Sequence, residues 1–263
     1  MTFHLTPSRH ALHKRVYFHT MIPAMVRRSD AVITISESTK RDLLALLKAK
    51  EEKISVVHLG VDARFQPLKD EGQLAKIRQK YSLPREFILF VGLIEPRKNL
   101  ETLVDAYLAA SISGQFDLVL AGSMGWGYSG LMQKIANSHV GSRIRMPGYV
   151  ADADLPALYS LATVFVYPSL YEGFGLPVLE AMACGAPVIT SCVSSLPEVA
   201  GDAAVLIDPS DAGALTLALQ QVLRDSQLRK SLSQRARQRA QLFTWEQTAQ
   251  KTLDIYRTIA GRN

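Results

Sequence analysis

The sequence lacks the marks of a secreted, membrane-spanning or metal-stapled chain. Two of its 263 residues are cysteine, Cys184 and Cys192, and their spacing matches neither a zinc site nor a redox pair, so both are read as reduced packing residues. Apolar runs such as 87–93 and 164–167 end far short of the ~20 residues that a membrane-spanning helix needs. The stretch from Met1 to Leu5 has no basic start, apolar centre and small-residue cleavage site of an export signal, so a cytoplasmic location is expected. No Gly-x-Gly-x-x-Gly follows a strand, and Gly122, Gly125 and Gly127 have the wrong spacing, which argues against a nicotinamide dehydrogenase. Aromatic residues make up 8% and do not interleave with basic ones, so nucleic acid is not expected as a partner. No internal repeat or low-complexity segment is present.

Acidic residues are outnumbered 24 to 30, and the net charge of +6 suits an anionic ligand. Six cations, Arg224, Arg229, Lys230, Arg235, Arg237 and Arg239, fall on one predicted helix beside Leu228 and Leu232. The plain reading is a solvated face. The other reading is peripheral contact with an anionic membrane surface, which would put the chain at the inner face of the plasma membrane, or contact with an acidic partner.

Short β-rich runs alternate with helical stretches, the pattern of a parallel sheet covered on both faces. Strands are predicted at 31–35, 54–59, 87–92, 117–122, 143–147, 164–167, 187–191 and 204–207. Several are apolar throughout, as buried parallel strands are. Helices are predicted at 36–48, 74–81, 129–139, 155–161, 176–184 and 212–224, with another after Asn99, read as its N-cap. Gly60, Val61, Asp62, Gln66 and Pro67 interrupt the series and suggest a boundary near 60–69. Residues 66–243 then form one complete doubly wound domain. Residues 1–65 hold only two strands and read as the tail of an earlier α/β domain. A last helix, 245–259, carries Ala249, Leu253, Tyr256 and Ala260 along one stripe and is expected to pack back toward that earlier domain.

The most informative stretch is Tyr167-Pro168-Ser169-Leu170-Tyr171-Glu172-Gly173-Phe174-Gly175-Leu176-Pro177-Val178-Leu179-Glu180. A buried strand ends in a glycine-containing loop that opens a helix, whose first N–H groups and partial positive charge suit an anion such as a diphosphate. Pro177 fits the helix opening, since its missing N–H has no intrahelical partner there. Glu180, about one turn in, could accept both hydroxyls of a ribose. Glu172, in the loop, could meet sugar hydroxyls.

Glu172 and Glu180 resemble the Glu-x7-Glu motif of retaining glycosyltransferases of the GT-B fold, and their surroundings resemble glycosyltransferase family 4, close to bacterial mannosyltransferase-like members. Further blocks match in the family's order: Val91-Gly92-Leu93-Ile94-Glu95-Pro96-Arg97-Lys98-Asn99-Leu100, Ala121-Gly122, Gly148-Tyr149-Val150, Pro187-Val188-Ile189-Thr190 and Leu196-Pro197-Glu198-Val199-Ala200-Gly201. Ser36-Glu37-Ser38 and Gly60-Val61-Asp62 resemble the end of the family's N-terminal domain.

The resemblance implies an α/β chain of GT-B type with one complete Rossmann-like domain and the C-terminal part of a second. It implies transfer of a hexose, mannose first, from a nucleotide-diphosphate sugar to a saccharide or lipid-linked acceptor, with retention and no metal. Arg97, Lys98 and Glu172 take the catalytic role, the two cations neutralising the departing diphosphate. Gly92, Gly122, Tyr149, Val150, Gly173, Phe174, Gly175, Leu176 and Glu180 join them in holding the donor. Leu93 departs from the pattern, since a cation or small polar residue usually follows the strand glycine. Retention is expected through front-side attack, the leaving phosphate helping to deprotonate the acceptor. Met1 to Pro7 resembles the stretch just after the family's acceptor-side histidine, so the chain reads as N-terminally truncated, with His4 a weaker stand-in.

Other readings remain beside this one: a non-catalytic nucleotide-sugar-binding fragment, or a sugar-nucleotide epimerase of similar fold. Asp152 and Asp154 could pair on a divalent cation as in another glycosyltransferase class, but Asp154 reads as an acidic helix start. His10, His13 and His19 are read as surface histidines rather than a metal site.

Overall fold

The computed structural model describes residues 12–112 and 114–261, with side chains from residue 20 onward. Met1 to Pro7, His4 and His10 lie outside the described residues, as do the side chains of His13 and His19.

Two parallel sheets form. The small one pairs β1 (Val32–Thr34) with β2 (Ile54–Val56), preceded by helix α1 (Leu12–Arg28) and linked by α2 (Glu37–Leu47). The large one has six strands: β3 (Phe87–Val91), β4 (Asp117–Ala121), β5 (Ile144–Gly148), β6 (Val164–Tyr167), β7 (Val188–Ser191) and β8 (Val205–Ile207). Their order across the sheet is β5-β4-β3-β6-β7-β8, parallel throughout. All eight expected strands form, and the fold is mixed α/β. Phe87-Ile88-Leu89-Phe90, Leu118-Val119-Leu120-Ala121 and Val164-Phe165-Val166 are fully buried, so near-continuous apolar runs become the central strands.

Helices α3 (Glu71–Lys80), α4 (Leu100–Ala109), α5 (Ser129–Asn137), α6 (Leu155–Leu161), α7 (Leu176–Ala183), α8 (Leu196–Ala200), α9 (Ala212–Arg224), α10 (Ser226–Ala240) and α11 (Trp245–Ala260) complete the chain. The strand order reverses at β3 and β6, and a crevice opens outside the carboxyl ends of such neighbours. That places the loop after β3, with Arg97 and Lys98, against the loop after β6, with Glu172.

Several local expectations are corrected. Asn99 stands at the α4 N-terminus with φ of 58°, but its side chain does not cap the helix; it donates to the Pro209 carbonyl (2.7 Å) and accepts from Thr102 (2.7 Å). Asp154 likewise makes no cap. Its carboxylate takes Lys80 (2.6 Å) and the Tyr81 hydroxyl (2.7 Å). Cys184 is buried, whereas Cys192 is exposed and so is no packing residue.

The basic residues after position 224 are not simply solvated. Asp225 ends α9 and caps α10, accepting from Gln227 and Leu228 N–H. Arg229 then donates to the Val222 carbonyl (2.8 Å) and that of Leu223, Arg235 to that of Asp202 (2.6 Å), and Arg239 to those of Val199 and Glu198 (3.1 and 2.7 Å). These cations satisfy carbonyls, at α9's end and around α8, that the helices leave open.

In α11 the expected stripe is displaced. Ala249, Leu253, Tyr256 and Ala260 are exposed, and Thr248, Thr252, Ile255 and Ile259 turn inward. The threonine hydroxyls bond the carbonyl one turn back, Thr248 to Thr244 and Thr252 to Thr248, so a face that reads as polar can be covered. Thr248 also donates to the His58 carbonyl (2.7 Å), and Val61 bridges to Thr244.

Candidate donor site

The crevice is built first by glycine. β3, β4 and β5 end at Gly92, Gly122 and Gly148, with φ of 153°, 146° and 76°. Gly122 N–H donates to the Gly148 carbonyl (2.8 Å), and a Cβ on Gly122 would meet the Gly92 carbonyl oxygen at 1.9 Å. Only glycine lets these strand ends close up. Beyond them Val91, Gly92, Gly122, Tyr149, Val150 and Asp152 line a cavity of about 230 Å³. Val150 is buried, whereas Tyr149 is 66% exposed, a ring free for stacking.

On the other side of β3, Arg97, Lys98 and Glu172 come together. Glu172 Oε1 lies 2.6 Å from Lys98 Nζ and 2.7 Å from Arg97 NH1, and accepts from the Ser169 (2.7 Å) and Tyr167 (3.1 Å) hydroxyls. Lys98 Nζ also donates to the Tyr167 oxygen. Tyr167 closes β6 in a buried run, where its hydroxyl must find a partner. Burial pulls Lys98 below its usual range despite Glu172. It also works against the Glu172 carboxylate, but Lys98 and Arg97 outweigh it and hold the acid below its ordinary value. For Arg97, burial likewise opposes the charge, and the Glu172 carboxylate more than offsets it.

The loop between the two acids is tied from several directions. Ser195 donates to the Glu172 and Phe174 carbonyls (3.0 and 2.8 Å), and Thr39 to that of Gly173 (3.4 Å). Phe174 is buried against the rings of His58 and Phe243. Gly175 takes φ of 110° and opens α7, Leu176 and Pro177 forming its first turn. A Cβ at Gly175 would meet Leu196 Cδ2 at 2.8 Å.

Glu180 stands apart from the Lys98 group. It is half-buried, accepts from the Tyr159 hydroxyl (3.0 Å) and feels Arg64, Asp152 and Asp62. Burial pushes its carboxyl up to about 7, with Tyr159 and Arg64 opposing. It lies about one turn into α7, within the electrostatic reach of Asp152, which lines the cavity beside Tyr149.

Sequence reading missed three contributors. Tyr159 holds Glu180. Glu95 Oε1 pairs with Arg97 NH2 (2.6 Å) while its Oε2 accepts from the Trp126 indole (3.2 Å). Glu198 receives His58 Nε2 (2.6 Å) and the Glu37 N–H (2.7 Å), tying α8 to the start of α2. Apart from a tyrosine at the end of a helix's apolar face, nothing local in the sequence signals these meetings. Among the described residues, no group of three or more His, Cys, Asp or Glu could hold a metal ion, and no helix is long and apolar enough to cross a membrane.

The six-stranded parallel sheet, with its glycine-lined crevice where the strand order reverses, is an α/β fold of the GT-B type. The chain belongs to the glycosyl transferases group 1 family, whose model matches residues 73–239, and the Glycosyltransferase Family 4 model matches residues 1–65. It is 34% identical over 256 residues to the O-antigen chain mannosyltransferase B of Escherichia coli, covering 96% of this chain and 67% of that protein. Identity is also 34% over 236 residues of the E. coli serotype-specific mannosyltransferase WbdA, covering 88% of this chain but 29% of that one. Among solved structures, sucrose-phosphate synthase from Thermosynechococcus elongatus superposes with a TM-score of 0.81 at 31% identity, over 95% of this chain and 63% of that one. Anabaena Alr3699/HepE, solved in complex with UDP-glucose, shares the fold with a TM-score of 0.85 at 20% identity, over 97% and 70% of the two chains.

Proposed function

We propose that this chain is the donor-binding part of a retaining, metal-independent glycosyltransferase that moves a hexose, mannose first, from a nucleotide-diphosphate sugar to a saccharide or lipid-linked acceptor in polysaccharide or lipopolysaccharide synthesis. The observation that carries this reading is the pair of acids eight residues apart around the α7 start. One is locked to Lys98 and Arg97, and the other is half-buried against the Tyr159 hydroxyl and feels Asp152, which lines the Tyr149 cavity. The mannosyltransferase relatives support mannose.

In this reading residues 66–243 hold the donor, residues 1–65 belong to the acceptor-side domain and residues 244–263 return to it. The nucleoside lies along Gly92, Gly122, Tyr149 and Val150, its ribose hydroxyls donating to Glu180. The diphosphate meets the backbone N–H groups of residues 173–176 and the Arg97 and Lys98 cations, which stabilise negative charge on the leaving group as the glycosidic bond breaks. Glu172 keeps both cations in place and offers its second oxygen to a sugar hydroxyl. Front-side attack needs no protein nucleophile: the leaving phosphate takes the acceptor proton.

A thermal-shift panel of nucleotide sugars tests the donor assignment. GDP-mannose at about 100 times its dissociation constant adds ~2.7 kcal/mol of stability. A larger shift with UDP-glucose would replace mannose, and no shift with any donor would remove the reading. Product analysis separates transfer from epimerisation, since an epimerase changes the donor without an acceptor.

A further inference from the structure

We propose that Glu95 is a built-in counter-anion that competes with a bound diphosphate for Arg97, held in that position by Trp126. This rests on reading the crevice as the donor site. Arg97 divides its guanidinium between two directions. NH1 meets Glu172 Oε1 and the Tyr171 carbonyl, both at 2.7 Å, and NH2 meets Glu95 Oε1 at 2.6 Å. The other Glu95 oxygen takes the Trp126 indole N–H at 3.2 Å.

This arrangement is fixed by backbone. Ile94 N–H donates to the Ser123 carbonyl (2.9 Å) and Gly125 N–H to the Ile94 carbonyl (3.0 Å), zipping the loop after β3 to the loop after β4. At Gly127 a Cβ would meet Pro96 Cγ at 2.8 Å, so the Trp126 loop lies directly on the residue between Glu95 and Arg97.

The charges then decide the outcome. Glu95 and Glu172 oppose Arg97 and Lys98, and none of the four side chains is more than 22% exposed. Two carboxylates against two cations leave an entering diphosphate with little net attraction unless one carboxylate yields. Glu172 is anchored by two cations and two hydroxyls, whereas Glu95 has one cation and an indole that is 40% exposed. Glu95 is therefore the group that gives way when the diphosphate binds and reclaims Arg97 when it leaves. Its role is to keep the nucleoside diphosphate product from holding the site after the sugar has departed.

Calorimetric titration of GDP and of UDP into the wild-type chain and into Glu95→Gln tests this, with guanosine and uridine as controls. Glutamine keeps an oxygen for the indole but removes the competing charge. The diphosphate that binds should bind about fivefold more tightly to the variant, the scale of one partly exposed ion pair, with no change for its nucleoside. Equal or weaker diphosphate binding overturns the proposal.

A second measurement leaves Glu95 intact. The chain has two tryptophans, so Trp245→Phe leaves Trp126 as the sole tryptophan, which is excited selectively over the tyrosines. Its emission should shift when the diphosphate binds and not with the nucleoside, and an unmoved spectrum under proven diphosphate binding overturns the proposal. If neither diphosphate binds the wild-type chain at all, the donor reading falls and this proposal with it, a result distinct from binding without competition.

Discussion

Glu172 and Glu180 are one motif eight residues apart, yet the fold gives them opposite surroundings. Glu172 sits on the loop after β6 among two cations and two hydroxyls, held below the ordinary carboxylate range. Glu180 sits just past the middle of α7 with one tyrosine hydroxyl, pushed up to about 7 by burial. The first acid is committed through one oxygen, Oε1, to cations and hydroxyls of the protein, and the second has a single hydroxyl partner. A buried carboxylate whose charged form lacks partners is poised for hydroxyl donors from a ligand. The two acids thus divide the work: one fixes the positive charge, the other waits for the ribose.

The largest expected effect separates them by stability. Glu172→Gln strips Lys98 of the carboxylate that offsets its burial, and breaking such a pair costs about 3–5 kcal/mol. Urea unfolding at neutral pH should show that loss. Glu180→Gln should cost much less, because it removes a carboxylate that burial already disfavours. Equal losses would erase the contrast.

A middle-sized effect lies in ligand binding and pH. Glu180→Ala should weaken donor binding about tenfold or more, the scale of a hydrogen bond or two to a charged group, and much more than Glu198→Ala. Calorimetry with the donor that binds reads both. The sign for stability follows from linkage. A carboxyl raised in the folded state stabilises it fully below its unfolded value of 4.5, and that contribution is lost as pH rises through about 7. The wild-type chain should lose at most about 3 kcal/mol from this group between those limits, a slope that Glu180→Gln flattens. Glu172 has the opposite sign, its contribution present above 4.5 and lost as pH falls through its lowered value. A wild-type curve that Glu180→Gln leaves unchanged would show that the carboxyl is not raised.

The sequence made much of this arrangement readable, and its limits are physical. The apolar runs at 87–91, 118–121 and 164–167 announce buried parallel strands because they are too short for a helix and rich in β-branched and aromatic residues. The loop of Gly173 and Gly175 with Pro177 behind it announces a helix opening because few other structures want those residues in that order. Charged side chains were harder. Glu172 was marked by its motif, but Glu95 and Trp126 lie far apart in sequence and meet only after β3 and β4 align, so no local pattern marks their contact. The short helix of Leu196–Ala200 was hidden by Pro197 and its length. The α11 stripe misled for a different reason: threonines whose hydroxyls bond their own helix share its half-buried face with isoleucine.

The smallest expected effect probes Glu180 through its one hydroxyl partner. Tyr159 is fully buried, and its phenol donates to Glu180 Oε2. Tyr159→Phe keeps the ring packed on Phe65 and Phe165 while removing that donor. The carboxylate then loses the strongest influence holding it down, so the Glu180 carboxyl should rise above about 7. At pH 7 the acid would be more often protonated and a poorer acceptor for ribose hydroxyls, weakening donor binding by about 1 kcal/mol, one ordinary hydrogen bond. Raising the pH should restore that binding in Tyr159→Phe but not in Glu180→Gln, which has no charge to regain. Titration across pH 6 to 9 distinguishes them, and a Tyr159→Phe defect that no rise in pH repairs would mean that the phenol acts on the ligand by another route than Glu180.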